Sequence, residues 1–573
     1  MKKITALLLV LAMAVTLFAG CGDKSSAPEA PAAESSEEAA PQATTQISEH
    51  EAAEDVATPA LVSGAVDLEG DLSSHWLCPE KQTLTILTYD GVNSSYEPPS
   101  NDLWFWQVME KYTNVHIEWE VAPYSGYGEV VNTRLSGGVN LPDIVMSNGN
   151  RTTKNAGDNG VLIDLYPYWD SCFTNTKNYF DTLGLDFLTY IQNPTGEIYA
   201  LPNAMSAKES HICFMYNTLW LKELGMEPPT TLDEFTNLMY AMQAAGDLNH
   251  NGLNDEICLT SSGMNILMSV LGNAFNLEQY EGWDAYNADE NGVVYSEYTT
   301  ENMRECLKYM NKLYADGVLD PEILATSADS MGEKIASDRV GCFVFYAGFA
   351  VSYGMLTSAG QQDPAGEWYT IGMPLASEWN GNEGYLVCRP LAFGNGGAAI
   401  TYECTQRELA AKWLDTLYAD PTILWARVYG KENETWKWGA DGEVELIVDE
   451  NGDWDPTYLG VLQISLPFIQ TQEEMVNDSR EWYIHENDLL RECKWVSASV
   501  PKVSVFTEEE EEMKDDVYSD VGNYWLEWRD KFIAGIMDLD TDWDTYVNSI
   551  NSVGMTQLTR VYQMVYDRLK DKQ

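Results

Sequence analysis

Basic side chains are scarce: 33 Lys and Arg stand against 89 Asp and Glu in 573 residues, a formal charge of −56. A nucleic-acid binder needs a cationic footprint to displace counterions from phosphates, so DNA and RNA are excluded as partners. Beyond Phe18 no apolar run is long enough to cross a bilayer as a helix. The ten cysteines, at 21, 78, 172, 213, 258, 306, 342, 388, 404 and 493, include no Cys-x-x-Cys pair, which excludes close-spaced metal clusters and dithiol redox chemistry. Histidine is rare as well, and no Gly-x-Ser-x-Gly, His-Glu-x-x-His or P-loop is present, so no nucleophile, zinc-hydrolase or phosphate-cradling motif emerges. What is abundant is apolar and aromatic: 45% and 12% of residues, too much for a disordered polyanion. With charged residues at only 21%, the surface leans on neutral polar and aromatic groups and suits neutral ligands.

The N-terminus has the form of a secretory leader. Lys2 and Lys3 precede the apolar run Ile4 to Phe18, and Leu17-Phe18-Ala19-Gly20-Cys21 follows at once. Its end resembles a bacterial lipobox, which implies cleavage after Gly20, lipidation of Cys21 and a two-chain anchor in the outer face of the cell membrane. Residues 22–75, rich in Ala, Glu, Ser, Pro and Thr, read as a flexible acidic linker. Removing Cys21 leaves nine cysteines, so at least one thiol is unpaired, and most are expected in the core.

From Trp76 onward strand and helix patterns alternate. Thr83 to Tyr89 alternates apolar with polar residues; Leu103 to Tyr112 has helical spacing; Val115 to Val121 alternates again; Gly126 to Leu135 is helical and Leu141 to Ser147 is a short buried strand. This is a βαβ start and an α/β class. In open α/β sheets ligands bind beyond the carboxyl ends of strands, which nominates Tyr89-Asp90 and the run Ser147 to Asn150, including Asn148 and Asn150. Pro228-Pro229 followed by Thr230 or Thr231 as N-cap marks a helix start, and Gly317 is a C-cap before Asp320-Pro321. Asn291-Gly292 and Asn451-Gly452 read as hairpin turns, and Glu508 to Glu512 as a solvated face or loop.

One loop has metal-ligand spacing. In Asp247 to Glu256, oxygen side chains occupy relative positions one, three, five, nine and ten around Gly252, a pattern like a shortened EF-hand loop. Asp247, Asn249, Asn251, Asp255 and Glu256, with the Leu253 carbonyl, form the expected cage for a structural Ca²⁺.

A resemblance then extends along the chain. Asn114 to Glu118, Leu135-Ser136-Gly137-Gly138 to Ile144, Thr195 to Pro202, Met215-Tyr216-Asn217 through Leu224-Gly225 to Phe235, Leu307 to Tyr314 with Gly317 to Glu322, Arg339 to Phe343, Ala410 to Tyr418 with Tyr429-Gly430, and Lys531 to Val547 occur in the order seen in family-1 solute-binding lipoproteins of bacterial ABC importers. That group includes maltose-binding and alginate-oligosaccharide-binding members, some with a similar calcium loop. The resemblance implies a periplasmic-binding-protein-like fold of two α/β lobes, a hinge and an interlobe cleft. It places residues 1–20 as leader, 21–75 as lipidated Cys and linker, 76–202 and 372–430 as the first lobe, and 203–371 and 431–573 as the second. Crossings fall near Pro202, Gly372 and Gly430.

The resemblance further implies a monomer that captures a sugar or oligosaccharide by hinge closure and hands it to membrane permease subunits, with no catalytic residues. Nineteen Trp and thirty-two Tyr exceed what a core needs, and aromatic faces stack on sugar rings. Trp104, Trp106, Trp425 and Trp436 with Trp438 lie where the family builds its cleft; Tyr346 and Phe349, after an apolar strand, and Asn203, beside the Pro202 crossing, are further ligand candidates. A membrane-anchored glycoside hydrolase, which needs only two carboxylates, and a non-catalytic glycan adhesin are the rival readings.

Overall fold

A computed structural model describes residues 67–90, 100–123, 126–147, 150–182, 187–202, 204–206, 212–278, 285–346, 369–388, 391–393, 397–438, 444–447, 469–470, 493–497, 500 and 506–570. Cys21, Asn148, Asn203, Phe349 and the Asn451-Gly452 turn lie outside them.

Alternating and β-branched segments form the strands of two mixed sheets: β1 (Gln82–Tyr89), β2 (Val115–Ala122), β3 (Ile144–Ser147), β4 (Ile212–Asn217), β5 (Ile257–Ser261), β6 (Val340–Tyr346), β7 (Tyr369–Gly372) and β8 (Gly397–Ile400). The first sheet has the order β8-β3-β1-β2. β1 runs parallel to β2 in register from Gln82↔Val115 to Tyr89↔Ala122, and parallel to β3, while β8 is antiparallel to β3. The helices Trp104–Thr113 and Tyr127–Gly137 supply the parallel crossovers, as the sequence periodicity predicts. The second sheet has the order β7-β4-β6-β5. All six residues of β4 are buried, which explains a continuous apolar run where a one-sided strand would alternate.

Each sheet has its own core. The first joins Leu72 to Leu201 with Ala398 to Ala426 and includes the fully buried Trp413; the second joins Ile212 to Leu375 with Val500 to Tyr562. The ordered body therefore begins before Trp76. Leu72 is buried in the first core, and Lys111 Nζ donates to the carbonyls of Leu68 and Glu69, so residues from Asp67 belong to the lobe and not to the linker. The expected second crossing at Gly372 also moves. Gly372 ends β7, which pairs with β4, and Leu375 is in the second core, so the chain returns to the first lobe only near Gly397.

Local signals hold where they were strong. Thr231 caps the helix Leu232–Ala245 in a reciprocal box with Glu234. Gly317 has φ +73 after the helix Glu301–Ala315, and Asn291-Gly292 turns the hairpin between Tyr286–Ala288 and Val294–Ser296. The Glu508 to Glu512 run is different from expectation: a Thr507 box starts the helix Glu508–Asp515 there, and Glu510 is buried against Arg568 at 2.8 Å. Cys172, Cys213, Cys258, Cys306, Cys342 and Cys404 are buried; burial pushes the Cys258 thiol up to about 12, so it is inert at neutral pH. Among the described residues no helix is long and apolar enough to cross a membrane.

A buried ion pair locks the second lobe. Asp320 is 1% exposed; its carboxylate takes Lys334 Nζ at 2.7 Å and the Thr260 hydroxyl at 2.6 Å, and accepts from Glu322 N–H at 3.0 Å. Lys334→Met leaves that carboxylate without its counter-charge, an expected loss of about 3–5 kcal/mol in urea denaturation. The double change Asp320→Asn/Lys334→Met recovers part of the loss; equal single and double midpoints contradict the pairing.

Candidate functional site

Three passes of chain connect the two cores, and they hydrogen-bond to one another. Ala204–Ser206, leaving the first lobe, pairs antiparallel with Leu391–Phe393, which returns to it, and parallel with Ile469–Gln470, which follows the first lobe's last helices. Beside this small sheet, Leu201 bridges Ala398, and Gly397 stands opposite Ser147 at the carboxyl end of β3. Gly397 has φ +140, and a Cβ there would lie 2.4 Å from the Leu201 carbonyl oxygen and 2.9 Å from Pro202 Cα. Glycine is the residue that lets the outgoing and returning strands touch. Pro202 lies at this contact, and Gly397 carries no sequence motif that would reveal it.

The end of the first lobe is built from local signals. Asp420 caps the helix Pro421–Tyr429 by accepting from Thr422 and Ile423 N–H, Pro421 fills the first turn, and Gly430 at φ +73 ends it. Trp425 and Tyr429 are one turn apart, so their rings meet at 4.3 Å between centroids. The next strand, Trp436–Trp438, puts its two indoles on one face by the two-residue strand period, and both reach Trp425, Trp436 edge-on at 5.4 Å and Trp438 stacked at 6.0 Å. Trp425 and Trp436 are buried, Trp438 is 40% exposed, and Trp425 Nε1 is buried without an acceptor. Four rings from two short segments therefore form an aromatic platform with one open indole face.

Other expected ligand residues are placed elsewhere. Trp106 is 2% exposed, edge-on to Trp119 and stacked 6.4 Å from Trp413 inside the first core, so it packs the lobe and does not wall a cleft. Tyr89 is buried edge-on to Tyr127 at 5.1 Å, and Tyr127 is anchored through its hydroxyl to the Leu87 carbonyl. Asp90 follows at the strand end, its N–H donating to Ala122 O at 3.1 Å. Trp104 is half-buried and donates its indole N–H to Glu69 at 3.1 Å. Tyr346 closes β6, half-buried, edge-on to Phe345 at 5.7 Å. Asn150 opens the helix Asn150–Asp158.

The Asp247 to Glu256 loop winds through successive side-chain turns. Asp247 accepts from Gly252 N–H at 3.0 Å, Asn249 from Asn251 N–H at 3.1 Å, and Asn251 from Leu253 N–H at 2.6 Å, with His250 and Gly252 at positive φ. Asp247 Oδ1 and both carboxylate oxygens of Glu256 are buried and bonded to nothing. Asp255 differs from expectation: its carboxylate pairs with Arg339 at 2.9 Å and takes Asn251 Nδ2 at 3.0 Å. Asn249 Nδ2 donates to the Asp338 carbonyl at 2.9 Å, and burial pushes the Asp338 carboxyl up to about 6, opposed by His250. Among the described residues no three His, Cys, Asp or Glu side chains converge on one point as a metal site. The orphaned oxygens of Asp247 and Glu256 nevertheless fit a hard cation, since buried carboxylate oxygens are otherwise bonded.

Comparison with known proteins gives the frame for these parts. The chain is 24% identical over 520 residues to the fructooligosaccharide ABC transporter substrate-binding protein FusA of Streptococcus pneumoniae serotype 4, covering 85% of this chain and 91% of that one. It is 22% identical over 488 residues to lipoprotein LipO of Bacillus subtilis, covering 82% and 90%. Structures of FusA, one with kestose and one of an EF-hand mutant with fructo-nystose, superpose with a TM-score of 0.68 at 22% identity, over 86% of this chain and all of theirs. The fold is thus the periplasmic-binding-protein-like one, with two α/β lobes. Residues 97–422, more than half of the chain and including parts of both lobes and the first two crossings, match the profile of one family, and the chain belongs to the bacterial extracellular solute-binding proteins.

Proposed function

We propose that this protein is the capture component of an ABC importer for a short, neutral oligosaccharide, bound between its lobes and released to membrane permease subunits. The observation that carries the sugar reading is the Trp425, Tyr429, Trp436 and Trp438 platform, whose open indole can stack on the C–H face of a sugar ring. FusA, which is named for fructooligosaccharide, supports the same class and makes kestose the first probe. The charge of −56 disfavours polyanionic glycans. Binding draws the lobes together because a solute touching both stabilises only the closed arrangement.

Two further parts complete the reading. Cys21 carries a lipid that holds the protein at the outer face of the membrane, a role that the lipoprotein relative supports. Asp247, Asn249, Asn251, the Leu253 carbonyl and Glu256 hold a structural Ca²⁺, with Asp255 divided between the loop and Arg339; the orphaned oxygens and the EF-hand of FusA support it.

Kestose and related neutral oligosaccharides should raise the melting temperature without any hydrolysis product appearing by chromatography. Trp438→Ala should weaken calorimetric affinity about tenfold, ~1.4 kcal/mol, with an unchanged circular dichroism spectrum. Release of monosaccharide, or binding untouched by Trp438→Ala, counts against the reading. A chelator should lower the melting temperature of the wild type but not of Asp247→Ala/Glu256→Gln, and metal analysis should find calcium only in the former. Cys21→Ser should move the protein from the membrane fraction to the medium.

A further inference from the structure

Lys154 stands on the helix Asn150–Asp158 that follows β3, and this helix is fixed to the first lobe. Ala156 is in the first core, Thr152 bonds Asn132 of the helix Tyr127–Gly137 at 2.8 Å, and Gly157 lies so close to Tyr199 that a Cβ would come within 2.3 Å of its ring. The Lys154 ammonium is 2.7 Å from Asp158, one turn along, and 3.7 Å from the carboxylate of Glu511.

Glu511 belongs to the other lobe. Its helix, Glu508–Asp515, is held there by Glu510 with Arg568 at 2.8 Å and by Gln557 Nε2 donating to Met513 O at 2.7 Å, and the helix Thr556–Leu569 adds Leu558 and Tyr562 to the second core. The Thr507 box fixes the first turn, so the acidic run is held at the contact and does not fray away from it. The two partners are 22% and 26% exposed, a setting in which a charge pair is screened less than on open surface.

We propose that Lys154 and Glu511 form an interlobe latch, a positioning pair that sets the closed fraction of the protein and thereby its apparent affinity for solute. The physical need is evident from the charge balance. Two lobes of a chain at −56 repel as they approach, and on this rim Asp158, Glu508 and Glu511 are all acidic. Lys154 is the cation between them: with the lobes together it bridges both sides, and with the lobes apart it keeps only Asp158. The contact is thus stronger in the closed state alone, which is the condition for a group to shift a two-state equilibrium. A single half-buried lysine has no motif, and its partner lies far along the chain, so sequence patterns do not reveal the pair.

The latch rests on the two-lobe capture reading but is tested without solute. Nitroxide labels on Val139→Cys in the first lobe and Ile536→Cys in the second, at positions 61% and 70% exposed, report the interlobe distance by pulsed dipolar spectroscopy on the full mature chain. Lys154→Glu and Glu511→Lys should each move the distribution to longer distances, and the double reversal should bring it back. Raising NaCl from about 50 to about 500 mM should lengthen the wild-type distance and leave Lys154→Glu unchanged. With kestose as probe, each single reversal should weaken affinity about two- to fivefold and the double should restore it. Single variants with the wild-type distance, or a double variant that does not recover, overturn the latch. Recovery of the distances together with no kestose binding to any variant overturns the solute reading and leaves the latch standing.

Discussion

The architecture depends on three strands of different chain segments lying hydrogen-bonded side by side between two cores. Ala204–Ser206, Leu391–Phe393 and Ile469–Gln470 carry the chain out of the first lobe, back into it and out again. Because the middle pass delivers β8 to the edge of β3, the first sheet is complete only after most of the second lobe has been made. Neither lobe is therefore a continuous segment, and the lobes are joined by backbone ladders and not by a single tether. Paired strands bend and twist as a unit, which favours rigid-body closure over independent wandering. The requirement for a bare Cα at Gly397, where the returning strand presses on Leu201 and Pro202, follows from the same crowding.

Charge is the second organising constraint. With so few cations, several of the partly buried ones among the described residues have a definite acidic partner: Lys334 on Asp320 inside the second lobe, Arg568 on Glu510 at the C-terminal helices, Arg339 on Asp255 at the 247–256 loop, and Lys154 between the lobes. The first two pin elements within a lobe, where loss of one partner leaves a charge in a poorly solvated place. The loop is the converse case, with buried carboxylate oxygens that no protein cation reaches. Electrostatics thus divides into internal anchors, a cation-seeking loop and a contact across the hinge.

Aromatic residues divide in the same way between packing and recognition. Trp106 and Trp413 stack inside the first lobe; Tyr298 and Trp525 stack inside the second, with Tyr546 tilted against Trp525. Trp438 is different because a short strand at the end of a lobe holds it against Trp425 while leaving a face open. Composition alone could not separate these roles, since a tryptophan next to a strand end has the same local pattern in either case.

Sequence by itself determined what depends on near neighbours. The βαβ start, the Thr231 capping box, the Gly317 stop, the Asn291-Gly292 turn and the spacing of the Asp247 to Glu256 loop were legible because each is a contact among residues a few positions apart. The fold class and the lobe plan were legible through the order of such segments. Only the tertiary structure decided that residues from Asp67 belong to the body, that the return crossing lies near Gly397 and not Gly372, that Trp106 is core, that Glu510 is buried, and that Lys154 faces Glu511. These depend on which distant surfaces meet. A local pattern fixes the conformation of a segment, but burial and charge pairing are properties of the space between segments, and that space exists only once the chain has crossed between the lobes three times.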